Sequence, residues 1–286
     1  LYAHWRANTN TTYKVRHFLQ KVGAGTEQNT TNYTETTSTS HTGTSDTTVS
    51  APRSSYTGFA APTSKNITIN RFGTAEISYY YNRNYYTVTY NQNGRGTPSF
   101  TSRSVQYGAA YPIPTISVTG WTFNGWYTAA SGGTQVTSST TLTNASNHTL
   151  YGHWTINQYS VTLNKGTGIS AVSGAGTYNY DTVRNIDATV QAGYTWVGWT
   201  GYQTTGTKAH SFKLPAQNVT LTANATGNPY AVVYNCNNGG QTPPAATNHI
   251  YGTASAVRTN SCSKTGFAFN GWNTAANGSF YSTTAS

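Results

Sequence analysis

Charge is scarce in this chain. Of 286 residues, 8% are charged and only six are acidic: Glu27, Glu35, Asp46, Glu76, Asp181 and Asp187. Acid–base catalysis needs paired or perturbed carboxylates, yet the stretch 85–157 holds none. Asp181 and Asp187 are near neighbours, but one falls at an expected turn. Methionine is absent, even at position 1, and no apolar run is long enough to span a bilayer. No export signal is visible. A metal site is not expected either: His148 and His153 stand five apart on an expected strand and face opposite sides. His41 and Asp46 share a Ser/Thr-rich loop without a nucleophile elbow. Gly166-Thr167-Gly168 is followed by no helix signal, so it is a loop and not a phosphate cradle. The chain is therefore read as non-enzymatic, with no catalytic, cofactor or metal site.

The shortage of acids, not a surplus of bases, makes the net charge +10. Residues 1–84 hold eight basic and four acidic side chains; 85–157 hold two and none; 158–228 hold four and two; 229–286 hold two and none. No Lys/Arg cluster with interleaved aromatics occurs, which argues against a nucleic-acid partner. A weak, general attraction to acidic glycans or wall polymers is what such a charge supports.

What the chain does have is Thr, Ser, Asn, Gly and Tyr, with 14% aromatics. That mixture favours strands and turns over helices, and its aromatic content argues against disorder. Gly120-Trp121-Thr122-Phe123-Asn124-Gly125-Trp126 recurs as Gly193-Tyr194-Thr195-Trp196-Val197-Gly198-Trp199. It recurs again as Gly266-Phe267-Ala268-Phe269-Asn270-Gly271-Trp272, and both steps are 73 residues. A fixed period means internal repeats. Aromatics at i and i+2 share one face of a strand, so Trp121 points with Phe123. Trp126 is out of phase with them, and the glycine before it predicts a bulge that swings the indole inward. Trp121, Phe123, Trp126, Trp196, Trp199, Phe269 and Trp272 are the expected cores of the repeats. The alternative is a sugar-stacking platform.

Residues 1–10 read as the end of a preceding repeat, because Leu1-Tyr2-Ala3-His4-Trp5 matches Leu150-Tyr151-Gly152-His153-Trp154. A first unit spans 11–84, opening with Tyr13-Lys14-Val15-Arg16-His17-Phe18 and closing with Ala75 to Tyr81. A second spans 85–157 and opens 73 residues later at Tyr86. A third, divergent unit spans 158–228. The fourth, 229–286, stops before its closing motif, so both ends are expected to cut through repeats of a longer protein. Spacers are short: Asn82-Arg83-Asn84, Thr155-Ile156-Asn157-Gln158 and Gly227-Asn228-Pro229. Units of this size can each close a core, and the array is expected to form an extended, stiff rod with nearest-neighbour contacts.

The second unit carries a family resemblance. Tyr86-Thr87-Val88-Thr89-Tyr90-Asn91, Tyr107-Gly108, Gly120 to Trp126, Thr128 to Thr134 and Leu150 to Trp154 resemble the Listeria–Bacteroides repeat, also called the internalin-B-type B repeat. The match extends over most of the fourth unit, while the third looks like a divergent member. The first unit resembles the mucin-binding-protein repeat through Tyr13 to Phe18, Tyr56 to Phe59 and Tyr79 to Tyr81. The resemblance implies a mainly β fold of small α+β, β-grasp-like units in tandem. It implies an extracellular place on a bacterial cell surface and a role as stalk or spacer of an adhesin. A glycan- or mucin-binding module and a subunit of a surface filament are the alternatives. The corresponding partners are neighbouring repeats, host or cell-wall glycans, and further copies of the chain.

Cys236 and Cys262 are the only cysteines and both lie in the fourth unit. An even count in an exported small domain predicts one disulfide; two buried thiols, or pairing with another chain, are the alternatives.

Overall fold

The computed structural model describes residues 1–237, 242–275, 280–281 and 284–285. It divides into two compact units, Leu1–Thr155 and Ile156–Ser286. Every regular element among the described residues is a strand, so the fold is mainly β. The helical share that small α+β units would bring is absent there, in keeping with a Thr/Ser/Asn/Gly-rich chain in which no helical period competes with alternation.

In the first unit, strands β1 (Thr11–Gln20), β2 (Tyr33–Gly43), β3 (Thr48–Ser50), β4 (Asn66–Thr68) and β5 (Ala75–Tyr81) come first. They form a sheet ordered β2-β1-β5 and a β3-β4 ribbon. Alternation along β1 buries Tyr13, Val15 and His17 on one face, against Ile67, Ile69, Tyr79 and Tyr81. Next come β6 (Tyr85–Asn91), β7 (Ser102–Gln106), β8 (Trp121–Tyr127), β9 (Gln135–Val136) and β10 (His148–Ile156), in one sheet ordered β7-β6-β10-β8-β9. Val88, Tyr90, Trp126, Leu142 and Leu150 centre its core.

The second unit opens with β11 (Gln158–Lys165), β12 (Ile169–Ser173), β13 (Gly176–Asn179), β14 (Val183–Val190), β15 (Tyr194–Gly201), β16 (His210–Lys213) and β17 (Val219–Gly227). They make sheets β13-β11-β17-β15 and β12-β14-β16 around Val161, Ile186, Trp199, Leu214 and Leu221. It continues with β18 (Pro229–Val232), β19 (Thr247–Ile250), β20 (Ser255–Ala256), β21 (Trp272–Asn273), β22 (Phe280–Tyr281) and β23 (Thr284–Ala285), paired as β18-β19, β20-β23 and β21-β22.

One topological rule recurs. The last strand of a repeat returns to lie parallel to the first: Val15 opposite Ile77, Val88 opposite His148, Val161 opposite Val219. In the two middle repeats that strand is central, with the aromatic strand on its far side. Leu150 and Leu221, which it carries inward, are fully buried.

Candidate functional site

The organising aromatics divide by position. Trp126 and Trp199 are fully buried. The glycines before them, Gly125 and Gly198, hold φ of 125° and 154°, and the register of β15 on β17 slips between Trp196 and Gly198. The glycine therefore does turn an out-of-phase tryptophan inward. Each buried indole finds a carbonyl: Trp126 Nε1 donates to Pro114 O at 3.2 Å and Trp199 Nε1 to Lys208 O at 2.9 Å. Phe123 and Trp196 pack on the core from its edge, 5.3 and 5.6 Å from Trp126 and Trp199.

Two expected core residues lie elsewhere. Trp121 is half-exposed because it opens β8 straight after the Val118–Trp121 turn, and Arg95 stacks on its ring at 3.7 Å. Phe269 is 46% exposed and Trp272 only half-buried. Their repeat has no strand lying between β18 and β21 among the described residues. Cys236 and Cys262 are joined in a disulfide, with Cα atoms 5.4 Å apart.

The titratable groups are spread thinly. Five of the six acids sit in exposed ion pairs: Glu35 with Arg16, Glu76 with Lys14 and Arg16, Asp46 with Arg71, Asp187 with Lys208, Asp181 with Lys213. The Arg16 hydrogen bond holds the Glu35 carboxyl below its usual value. Of the histidines, His153 stacks on Tyr127 at 3.9 Å and His148 meets the Tyr111 hydroxyl at 3.0 Å. Buried His17 shares a hydrogen bond between Nδ1 and the Tyr81 hydroxyl. Among the described residues no three of His, Cys, Asp and Glu gather as metal ligands.

What recurs with constant geometry is the junction where one repeat hands over to the next. A spacer asparagine offers its carbonyl to a backbone N–H 23 residues later: Asn84 to Tyr107 at 2.9 Å, Asn157 to Tyr180 at 2.9 Å, Asn228 to Tyr251 at 3.0 Å. Asn8 does the same for Ser45 at 2.8 Å. The residue after each donor is left-handed: Gly108, Asp181, Gly252 and Asp46, with φ between 54° and 80°. Glycine or Asp fits there because few other side chains tolerate that conformation. These turns are bolted to the cores. Gly108 N–H reaches Leu142 O, Asp181 N–H reaches Leu214 O and Asp46 N–H reaches Ile69 O, all at 2.8–2.9 Å. Ile69, Leu142 and Leu214 are themselves buried.

At two junctions the tyrosine ring also closes on the preceding repeat. Tyr107 lies against Gly58 so tightly that a Cβ there would fall within its ring. Tyr251 lies against Gly193, where an added Cβ would sit 2.6 Å from ring carbons. Both glycines are left-handed, at φ 79° and 86°, and both carbonyls accept the N–H of the spacer asparagine at 2.8 Å, Asn84 and Asn228 respectively. The next ring stands edge-on in each case: Phe59 to Tyr107 at 6.2 Å, Tyr194 to Tyr251 at 5.4 Å.

The first junction adds a buried polar web. Arg83 donates through Nη1 to Tyr107 O and through Nε to Gln20 O, at 2.9 and 2.6 Å, and its ring neighbour is Phe59. Gln20 Oε1 accepts the Arg83 N–H at 2.8 Å, while Gln106 Oε1 accepts the Gly23 N–H at 2.7 Å. Gln20 and Gln106 are almost wholly buried, and burial lowers the Arg83 guanidinium from its usual value. Sequence reasoning had found the spacers but not these partners. The signal was present as an asparagine–tyrosine interval of constant length.

Comparison with known proteins places the same stretches together. The chain is 34% identical over 183 residues to internalin H of Listeria monocytogenes, covering 61% of this chain and 30% of the relative. It is 29% identical over 203 residues to a putative membrane protein of Evansella cellulosilytica, covering 68% of this chain and again 30% of the relative. The chain thus spans under a third of the length of these curated relatives. Among solved structures, the Bacillus anthracis TIE protein aligns over 76% of this chain and 51% of its own, with 10% identity and a TM-score of 0.35. At the level of families, residues 86–153 and 230–286 match the Listeria-Bacteroides repeat domain, and residues 159–229 match the divergent InlB B-repeat domain.

Proposed function

We propose that this chain is a non-enzymatic repeat region of a bacterial cell-surface protein and serves as the stalk or spacer of an adhesin. The observation that carries the reading is the handover contact, repeated at one geometry from Asn8 to Asn228. A spacer must fix the angle between successive units without chemistry of its own. A backbone bond from asparagine, a left-handed turn anchored in the core and a ring closing on glycine together do that. The scattered, ion-paired acids leave no reaction centre to compete with this role. The relatedness to an internalin supports an extracellular, surface-attached setting. Small-angle scattering on the 286-residue chain tests it: an elongated particle is expected, and a compact one overturns the reading.

The tyrosines that suggest a glycan- or mucin-binding first repeat are poorly placed for it. Tyr79 and Tyr81 are fully buried, and Tyr13 and Tyr33 nearly so. A sugar-stacking ring has to face solvent, so the spacer reading is preferred for residues 11–84 as well.

A further inference from the structure

The fourth repeat has an open place, and the chain itself carries a strand that fits it. In the second repeat the central strand β10 brings Leu150-Tyr151-Gly152-His153-Trp154 between β6 and β8. Leu150 is buried in the Trp126 core, His153 stacks on Tyr127, and Trp154 Nε1 donates to Gln92 O at 3.0 Å. In the fourth repeat the equivalents of β6 and β8 are β18 and β21, and no strand joins them among the described residues. A cavity of about 610 Å³ lies there instead, lined by Val232, Tyr234, Val257, Phe269, Trp272 and the disulfide.

Two details show that this cavity is shaped for a strand of that kind. The loop that receives Trp154 is already built. Asn237 is left-handed at φ 50° and donates its N–H to Asn235 Oδ1, as Asn93 at φ 53° does to Asn91 Oδ1. Cys236 O therefore occupies the place of Gln92 O. Asn273 stands where Tyr127 stands, and its Oδ1 is buried with no hydrogen-bond partner among the described residues. A buried acceptor without a donor is costly, and an imidazole N–H arriving at the position of His153 would satisfy it.

Residues 1–8 read Leu1-Tyr2-Ala3-His4-Trp5-Arg6-Ala7-Asn8. They pair with no strand, and Leu1, Tyr2 and Trp5 stand fully in solvent. We propose that residues 1–8 of one copy insert between β18 and β21 of a second copy, parallel to the first and antiparallel to the second. Leu1 enters the Trp272 core, His4 donates to Asn273 Oδ1, and Trp5 donates to Cys236 O. Ala3 takes the place of Gly152, where a Cβ has room at 3.3–3.5 Å and where the third repeat already uses Ala223. Because donor and acceptor lie at different sites, the contact is heterologous and copies chain head to tail.

The test uses the 286-residue chain and a Leu1→Asp/Trp5→Asp double variant, followed by light scattering across a micromolar to millimolar range. Both substituted side chains are exposed, so folding is retained. Concentration-dependent oligomers are expected from the parent chain, with only monomer from the variant. A free peptide Leu-Tyr-Ala-His-Trp-Arg-Ala-Asn should dissolve the oligomers. A parent chain that stays monomeric throughout, or oligomers that survive in the variant, overturns the proposal. The outcome is separate from the spacer reading, since a spacer need not self-associate and an assembling chain need not be elongated.

Discussion

Tyr107 rests on Gly58 with no space left for a single methyl group. The contact joins two repeats through the face of a ring and the backbone of a left-handed turn. Substituting Gly58→Ala combines strain at positive φ, about 1 kcal/mol, with overpacking worth ~1–3 kcal/mol. Gly94, at φ 76°, has open space around it and supplies the control, since Gly94→Ala adds strain alone. Denaturant unfolding should show Gly58→Ala costing clearly more than Gly94→Ala; equal losses would mean that the ring contact does not matter.

Trp126 and Trp121 share a strand but not a role. Trp126→Ala removes a fully buried indole and its hydrogen bond to Pro114, and should cost ~3–5 kcal/mol. Trp121→Ala removes a half-exposed ring under Arg95 and should cost about 1 kcal/mol or less. Urea midpoints of the two variants at matched slope decide the comparison.

His17 makes the first repeat sensitive to acid. It is buried among Tyr56, Tyr79 and Tyr81, with His41 nearby, and burial holds its pKa below the ordinary 6.5. The unfolded chain therefore binds a proton more readily than the folded one. Stability from this site is complete above pH 6.5 and declines as pH falls below it, by up to about 1.4 kcal/mol per pH unit, until the lower folded value is reached. Melting of the chain and of His17→Gln between pH 4.5 and 8, values spaced by about half a unit, should show a shallower acid slope in the variant.

Reduction should act on one repeat alone. The Cys236–Cys262 bond closes a 26-residue interval, for which loop-closure entropy gives about 3 kcal/mol. Hydrogen exchange with and without reductant should show faster exchange around Tyr234 and Trp272, and no change around Val88 or Val161.

Much of this was legible in the sequence for a physical reason: period is local information. The 73-residue step, the alternation in β1 and β6, and the glycine that reorients Trp126 need only neighbours in the chain. Trp121 was misplaced because alternation says which way a residue points, not whether anything lies beneath it at the strand's first position. Phe269 was misplaced because its burial depends on a strand supplied from far along the chain. The web of Arg83, Gln20 and Gln106 was not legible at all, since buried polar groups become visible only when their partners are in place.

The return of each closing strand to its opening strand has a consequence for synthesis. Val15 meets Ile77 and Val161 meets Val219, about 60 residues downstream, and pairing at that range is slow because the loop must close first. As the polypeptide leaves the ribosome, an early strand waits with one edge bare until its mate emerges. A pause or a nick anywhere in the interval leaves a bare edge, and the neighbouring nascent chains on the same message would be the first to find it.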